Sequence, residues 1–154
     1  AGERDLPEWL ADQAESAAAV LLATRHGDGA LASWQGGNPA SPRRIAAVLE
    51  GAGVEVGPSR QVRDWGYQRF QATSALLVFD AAPPPPPRAF VGGCASTLAF
   101  EFSDGPQRIV VNCGGAGEAD TLPAQLAQAL RATAAHSTLT LGDRNSTAIH
   151  EDGS

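Results

Sequence analysis

The chain of 154 residues has no methionine and no lysine, two cysteines, one tyrosine and three histidines. A natural open reading frame begins with Met, so its complete absence leads us to expect a piece of a longer or processed chain. All eleven basic residues are arginine, against 17 acidic ones, for a formal charge of −6. That balance argues against a broad nucleic-acid surface, which needs a basic stripe. It leaves room for a few arginine forks that bind carboxylates or sulfates. No apolar run approaches the roughly 18–20 residues of a membrane span. The apolar stretch "SAAAVLLAT" follows acidic residues and does not read as a signal peptide. Cys94 and Cys113 stand in "GGC" and "NCGG", without CxxC spacing, so neither a zinc knuckle nor a thioredoxin motif is supported. One disulfide and two free thiols both remain open; buried free thiols are the simpler reading.

What is present is globular in composition, with 43% apolar and 18% charged residues. Residues 5–24 predict a helix, with Asp5 and Glu8 at capping-box spacing. Leu6, Trp9, Leu10, Gln13, Ala14, Ala17 and Leu21 recur every three or four positions, leaving one apolar stripe. "ALASW" reads as a short strand. "SPRRIAAVLEGAG" predicts a second helix, capped by Ser41, with Pro42 at its first position and Ile45, Val48 and Leu49 buried. From residue 65 the period changes: "YQRFQA", "ALLVFD", "TLAFEF" and "RIVVNC" are strand candidates, the last two joined by an Asp-Gly hairpin turn. On that hairpin Leu98, Phe100 and Phe102 form an apolar stripe, with Glu101 and Asn112 on the opposite, polar face. "PPPPP" at 83–87 predicts an exposed extended connection. "TLPAQLAQALRA" predicts a short helix, "STLTL" and "TAIH" strands, and "GDRNS" the turn between them. Helices first and an antiparallel sheet second give an α+β class or two domains meeting.

The ordered set "LLATRHGDGALASWQGG", "GYQRF", "LVFDAAPPPP", "LAFEFSDGPQRIVVNCGG" and "RATAAHSTLTLGD" resembles the heparinase II/III-like proteins of bacteria, from about residue 15 onward. The resemblance implies that residues 1–55 are the end of an α/α toroid. Residues 60–154 would be the first part of an antiparallel β-sandwich-like domain, with the rest of the toroid upstream on the same polypeptide. It also implies a polysaccharide lyase of the periplasm or cell envelope, which cleaves acidic, uronate-containing glycans by β-elimination.

That reaction neutralises the uronate carboxylate, takes the C5 proton and protonates the leaving C4 oxygen. His136, which matches the family's histidine before a Ser/Asn-Thr-Leu strand, is the catalytic candidate; the bland alternative is a partly buried histidine bonded to backbone. Arg131, Asn112, Glu101 and His26 are the substrate-binding candidates, each with a structural alternative: a surface or interdomain arginine, two solvated strand residues and a helix C-cap. Tyr67 is expected in the core and Asp143 in a turn. Many lyases of the family carry a His-x-His-x-Asp-like segment before the "LSFE" strand. Here those positions are Gly92, Cys94 and Ser96, so we expect no cofactor, and zinc is poorly supported. The alternative function is a non-catalytic carbohydrate-binding or cell-envelope module of the same fold; a plain structural domain ranks third.

Overall fold

The computed structural model describes residues 7–37, 39–59, 66–83, 93–115 and 122–150. Helix α1 spans Glu8–Ala23 and helix α2 spans Pro42–Ala52. Strands β1 (Tyr67–Ala72), β2 (Ala75–Asp80), β3 (Phe100–Asp104) and β4 (Gln107–Val110) form one antiparallel sheet in the order β1-β2-β3-β4. Helix α3, Ala124–Leu130, and a 3₁₀ turn at Thr133–Ala135 follow. The class is α+β, as expected.

Local chemistry accounts for several boundaries. Ser41 caps α2 by accepting the Arg44 amide, Pro42 opens the helix, and Gly53 closes it with a left-handed φ of 65°. The β3–β4 hairpin closes at Asp104↔Gln107. Its first loop residue, Gly105, has φ +53°, which suits a glycine at the first centre of a tight hairpin turn. Leu141 and Arg144 form a bridge around Gly142 and Asp143, both at positive φ, so the expected turn is present.

Other expectations need correction. Helix α1 begins after Pro7, which has no side-chain cap bond, so Glu8 is its first residue; Asp5 lies outside the described residues. Its buried residues are Ala18, Val20, Leu22 and Ala23, whereas Trp9 and Leu10 are exposed. Only the last turns of α1 meet the rest of the described chain, so the stripe toward the start of the helix has nothing to pack against. In α2 Ile45 is buried but Val48 is exposed. "ALASW", "STLTL" and "TAIH" form no strand beyond single bridges at Leu31 and Leu141. One backbone bond, from the Phe100 amide to the Ser137 carbonyl, and side-chain bonds tie the 137–138 segment down without a ladder: Ser137 Oγ donates to the Val111 carbonyl and Thr138 Oγ1 to the Thr97 carbonyl. The proline run, apart from the exposed Pro83, lies outside the described residues.

The hairpin expectation has one inverted element. Directly opposed residues of antiparallel strands share a face. Phe70, Leu77, Phe79, Phe100 and Phe102 therefore share one face, and Leu76, Val78, Asp80, Glu101 and Ser103 the other. The face bearing Glu101 is the buried one. It packs against Ala32 and Trp34, which join Leu76, Val78 and Ala99 in the core, with Tyr67 beside them. The segment after α1 thus fills the sheet's inner face, while the phenylalanine face is left partly open.

Candidate functional site

The turn "RHGDG" closes on the inner face of the sheet. A Cβ on Gly27 would collide with the Gly105 carbonyl oxygen, so glycine permits the close approach of this turn to the β3–β4 loop. The approach carries His26 to the centre of the sheet. Its Nδ1 lies 2.9 Å from Ser103 Oγ and its Nε2 3.0 Å from Glu101 Oε2, with the imidazole and carboxylate side chains both fully buried. Glu101 Oε1 accepts the amides of Ser33 at 2.9 Å and Asn112 at 3.1 Å. Arg108 reaches Glu101 Oε2 at 3.4 Å and forks onto Asp28 through Nε and NH2 at 2.8 and 3.0 Å.

A buried carboxylate is tolerable only when so surrounded. Burial by itself would push the Glu101 carboxyl up. The bonds from His26, Ser33 and Asn112 outweigh it and hold the group below its ordinary range. Asp28 is likewise held low, chiefly by its bonds with Arg108. Ser103, His26 and Glu101 form a hydrogen-bonded line reminiscent of a nucleophile, base and acid. With Ser103 fully buried, however, no substrate carbonyl can reach its hydroxyl.

A second buried polar group lies at the end of β2. Asp80 Oδ2 accepts from Ser96 Oγ at 3.1 Å and Oδ1 from the Ala82 amide at 3.1 Å. Gln35 bridges Ser96 Oγ and the Cys94 amide. Here burial dominates and raises the Asp80 carboxyl; burial and then the Asp80 charge raise the Tyr67 hydroxyl. Tyr67 packs beside Trp34 with ring centroids 5.9 Å apart, in the core position expected of it. Sequence reading passed over Asp80. The signal was its place in "ALLVFD", where it continues the Leu76, Val78 alternation and so must be buried.

The five candidates do not converge on one cleft. His26, Glu101 and Asn112 belong to the central cluster. The Asn112 side chain also donates to the Phe100 carbonyl and accepts the Ser137 amide, fastening the segment that carries His136. Arg131 is buried; its Nε donates to the Gly93 carbonyl at 2.8 Å and NH1 reaches Gln128 and the His150 carbonyl. His136 differs from all four. It is only 8% exposed, and neither ring nitrogen has a hydrogen-bond partner among the described residues. Burial lowers its pKa and favours the neutral ring.

Among the described residues no three His, Cys, Asp or Glu side chains assemble as a metal site. Of the positions that would supply family ligands, Ser96 is committed to Asp80 and Cys94 sits with its thiol raised by burial. Among the described residues Cys94 and Ser96 do not by themselves supply a zinc donor set. Neither Cys94, which is buried, nor Cys113, which is exposed, forms a disulfide among the described residues.

Residues 55–154 match the family model described as heparinase II/III-like, C-terminal. The chain belongs to the heparinase II/III-like family. A curated relative, the FtsZ-localized protein C of Caulobacter vibrioides, is 34% identical over 119 residues, covering 76% of this chain and 19% of the relative. The chain therefore spans about a fifth of that protein's length. No solved structure matches it. The matched heparinase II/III-like region contains Glu101, Asn112, Arg131 and His136; His26 lies ahead of it. No helix among the described residues is long and apolar enough to cross a membrane.

Proposed function

We propose that this heparinase II/III-like segment is a non-catalytic module of a cell-envelope protein, one that engages an acidic polysaccharide without cleaving it. One observation carries the reading. Four of the five side chains that β-elimination could recruit are committed inside the fold: His26, Glu101, Asn112 and Arg131 all hold internal partners. Drawing any of them toward a sugar would leave a buried polar group unpaired, at about 1–3 kcal/mol each. The relative's name, FtsZ-localized protein C, supports extending to this chain a place near FtsZ.

The second reading is part of a polysaccharide lyase acting on uronate-containing glycans in the periplasm or envelope. His136 favours it, because a buried imidazole held toward its neutral form, with neither nitrogen partnered among the described residues, is the state that a base or a substrate hydrogen bond requires. One experiment separates the two. The full-length parent is incubated with heparin-like polymers, alginate and other uronate chains while the ultraviolet absorbance of an unsaturated uronate is followed. No product, together with retention of the parent on an immobilised acidic glycan, supports the module. Product that disappears in His136→Ala would overturn it in favour of the lyase.

A further inference from the structure

Strand β1 is the terminal strand of the sheet, and among the described residues no backbone hydrogen bond leaves its outer edge. Natural sheets cover or charge such edges, because unpaired amides and carbonyls recruit another strand. A groove of about 650 Å³ runs here, lined by Pro58, Arg69, Phe70, Gln71 and Thr73. Successive side chains of a strand point to opposite faces. A groove touching Arg69, Phe70 and Gln71 together must therefore follow the strand's edge. Its size lies within the ~300–1,000 Å³ usual for binding clefts.

The chemistry of the walls is specific. Phe70 is 57% exposed and supplies an apolar anchor point. Arg69 is held in place by its own bonds: NH1 donates to the Ala23 and Arg25 carbonyls at 3.1 and 2.7 Å, and NH2 to Gln71. Its Nε and the second NH2 proton have no acceptor among the described residues. Arg25 is exposed and lies beside it. Among the described residues neither guanidinium has a carboxylate within ion-pair distance; Arg108 is the arginine that does. In a chain of net charge −6 this pair is a local positive spot next to an open edge.

We infer that the outer edge of β1 accepts an extended acidic peptide segment as an added strand. An apolar side chain of that segment would pack on Phe70 and Pro58, and its carboxylates would meet Arg25 and Arg69. Main-chain bonds to an edge give affinity, while alternate side-chain pockets give selectivity. An acidic oligosaccharide meets the arginines equally well but leaves the edge amides and carbonyls without a matching ladder. This surface is separate from the groups on which the module reading rests, so either can fail alone.

Fluorescence anisotropy with the 154-residue chain tests it, using labelled peptides of alternating Val–Glu and alternating Val–Lys. The Val–Glu peptide should bind saturably and at least about tenfold more tightly than Val–Lys, weakening as salt rises. Phe70→Ser and Arg25→Glu should each reduce affinity about tenfold with an unchanged melting curve. Methylating alternate backbone amides of the Val–Glu peptide should abolish binding. The inference is overturned by no binding, by equal binding of the two peptides, or by binding unaffected in Phe70→Ser. It is also overturned if an unlabelled oligouronate occupies the groove more tightly than the peptide, or if light scattering shows the edge already paired with a second copy.

Discussion

The two faces of the four-stranded sheet are built on opposite rules. The inner face holds two carboxylates, Glu101 and Asp80, with His26, Ser96 and Ser103 bonded to them or to each other, beside a core that includes Trp34, Leu76 and Val78. The outer face bears four of the chain's five phenylalanines, yet the described residues leave Phe70 57% and Phe100 36% exposed; Ile109 on β4 is 61% exposed. Hydrophobicity alone would invert this arrangement. What decides it is which face meets Ala32, Trp34 and the "RHGDG" turn. Polarity can be buried when its partners arrive with the covering segment, whereas apolar surface stays open when nothing in reach covers it.

The largest effect should come from breaking the inner cluster. Glu101→Leu removes the carboxylate that accepts the Ser33 and Asn112 amides and faces His26, and should destabilise the chain by about 3–5 kcal/mol in urea unfolding. Glu101→Gln, which keeps the shape, should cost less. A loss as small as that of an outer-face substitution would mean that the cluster is not a structural centre. Gly27→Ala tests the same face through the backbone. Its Cβ meets the Gly105 carbonyl, so the turn must move, and about 1–3 kcal/mol should be lost.

Acidity should set the inner groups against one another. Glu101 is held below its ordinary value of 4.5, so its stabilisation is present above that value and lost as pH falls through its folded-state pKa. His136 is also lowered, here from 6.5 by burial, so neutral burial is progressively disfavoured as pH falls below the unfolded value. Asp80 acts in the opposite sense. Its carboxyl is raised from 3.8, so its contribution is full below that value and declines as pH rises through the folded-state pKa. Urea midpoints measured against pH should therefore fall on the acid side for the parent chain. Glu101→Gln should flatten that limb, and Asp80→Asn should recover stability at neutral pH relative to acid. An unchanged acid limb in Glu101→Gln would assign the fall to other groups.

His136 gives a smaller and more pointed effect. If its two ring nitrogens are unpartnered in the free chain, His136→Leu should be neutral or stabilising, by up to about 1–3 kcal/mol per unpaired group removed. A clear destabilisation would reveal a partner for the ring. On the outer face Ile109→Thr should change stability by no more than about 0.5 kcal/mol, measured by thermal melting, and should reduce self-association.

Much of the secondary structure was legible because it is local. "YQRFQA" and "ALLVFD" are strands at the expected residues, Ser41 and Pro42 start α2, and Gly142–Asp143 form their turn. "STLTL" has the right alternation and is not a strand, because a strand needs a ladder along a neighbour and the described chain offers its segment a single backbone bond from Phe100 and side-chain bonds. The candidate site was legible as a set of residue types but not as an arrangement. His26 and Glu101 are 75 positions apart, and nothing in either local pattern indicates that they pair. His136 was singled out through the family's order of segments, while the absence of a hydrogen-bond partner for its ring among the described residues is a tertiary fact.

By itself the sequence determined the helix and strand periods, the turn positions, the excess of acid over base and the family, all of which depend on neighbours along the chain or on composition. The tertiary structure alone decided which face of the sheet is the inside. It also decided that the Glu101 carboxylate is met by His26, Arg108 and two backbone amides, and that among the described residues no strand pairs with the outer edge of β1 beside two arginines. The physical reason is the same throughout: burial, pairing and edges depend on segments brought together from far apart, and the energy of a charge or a phenylalanine is set by what arrives beside it.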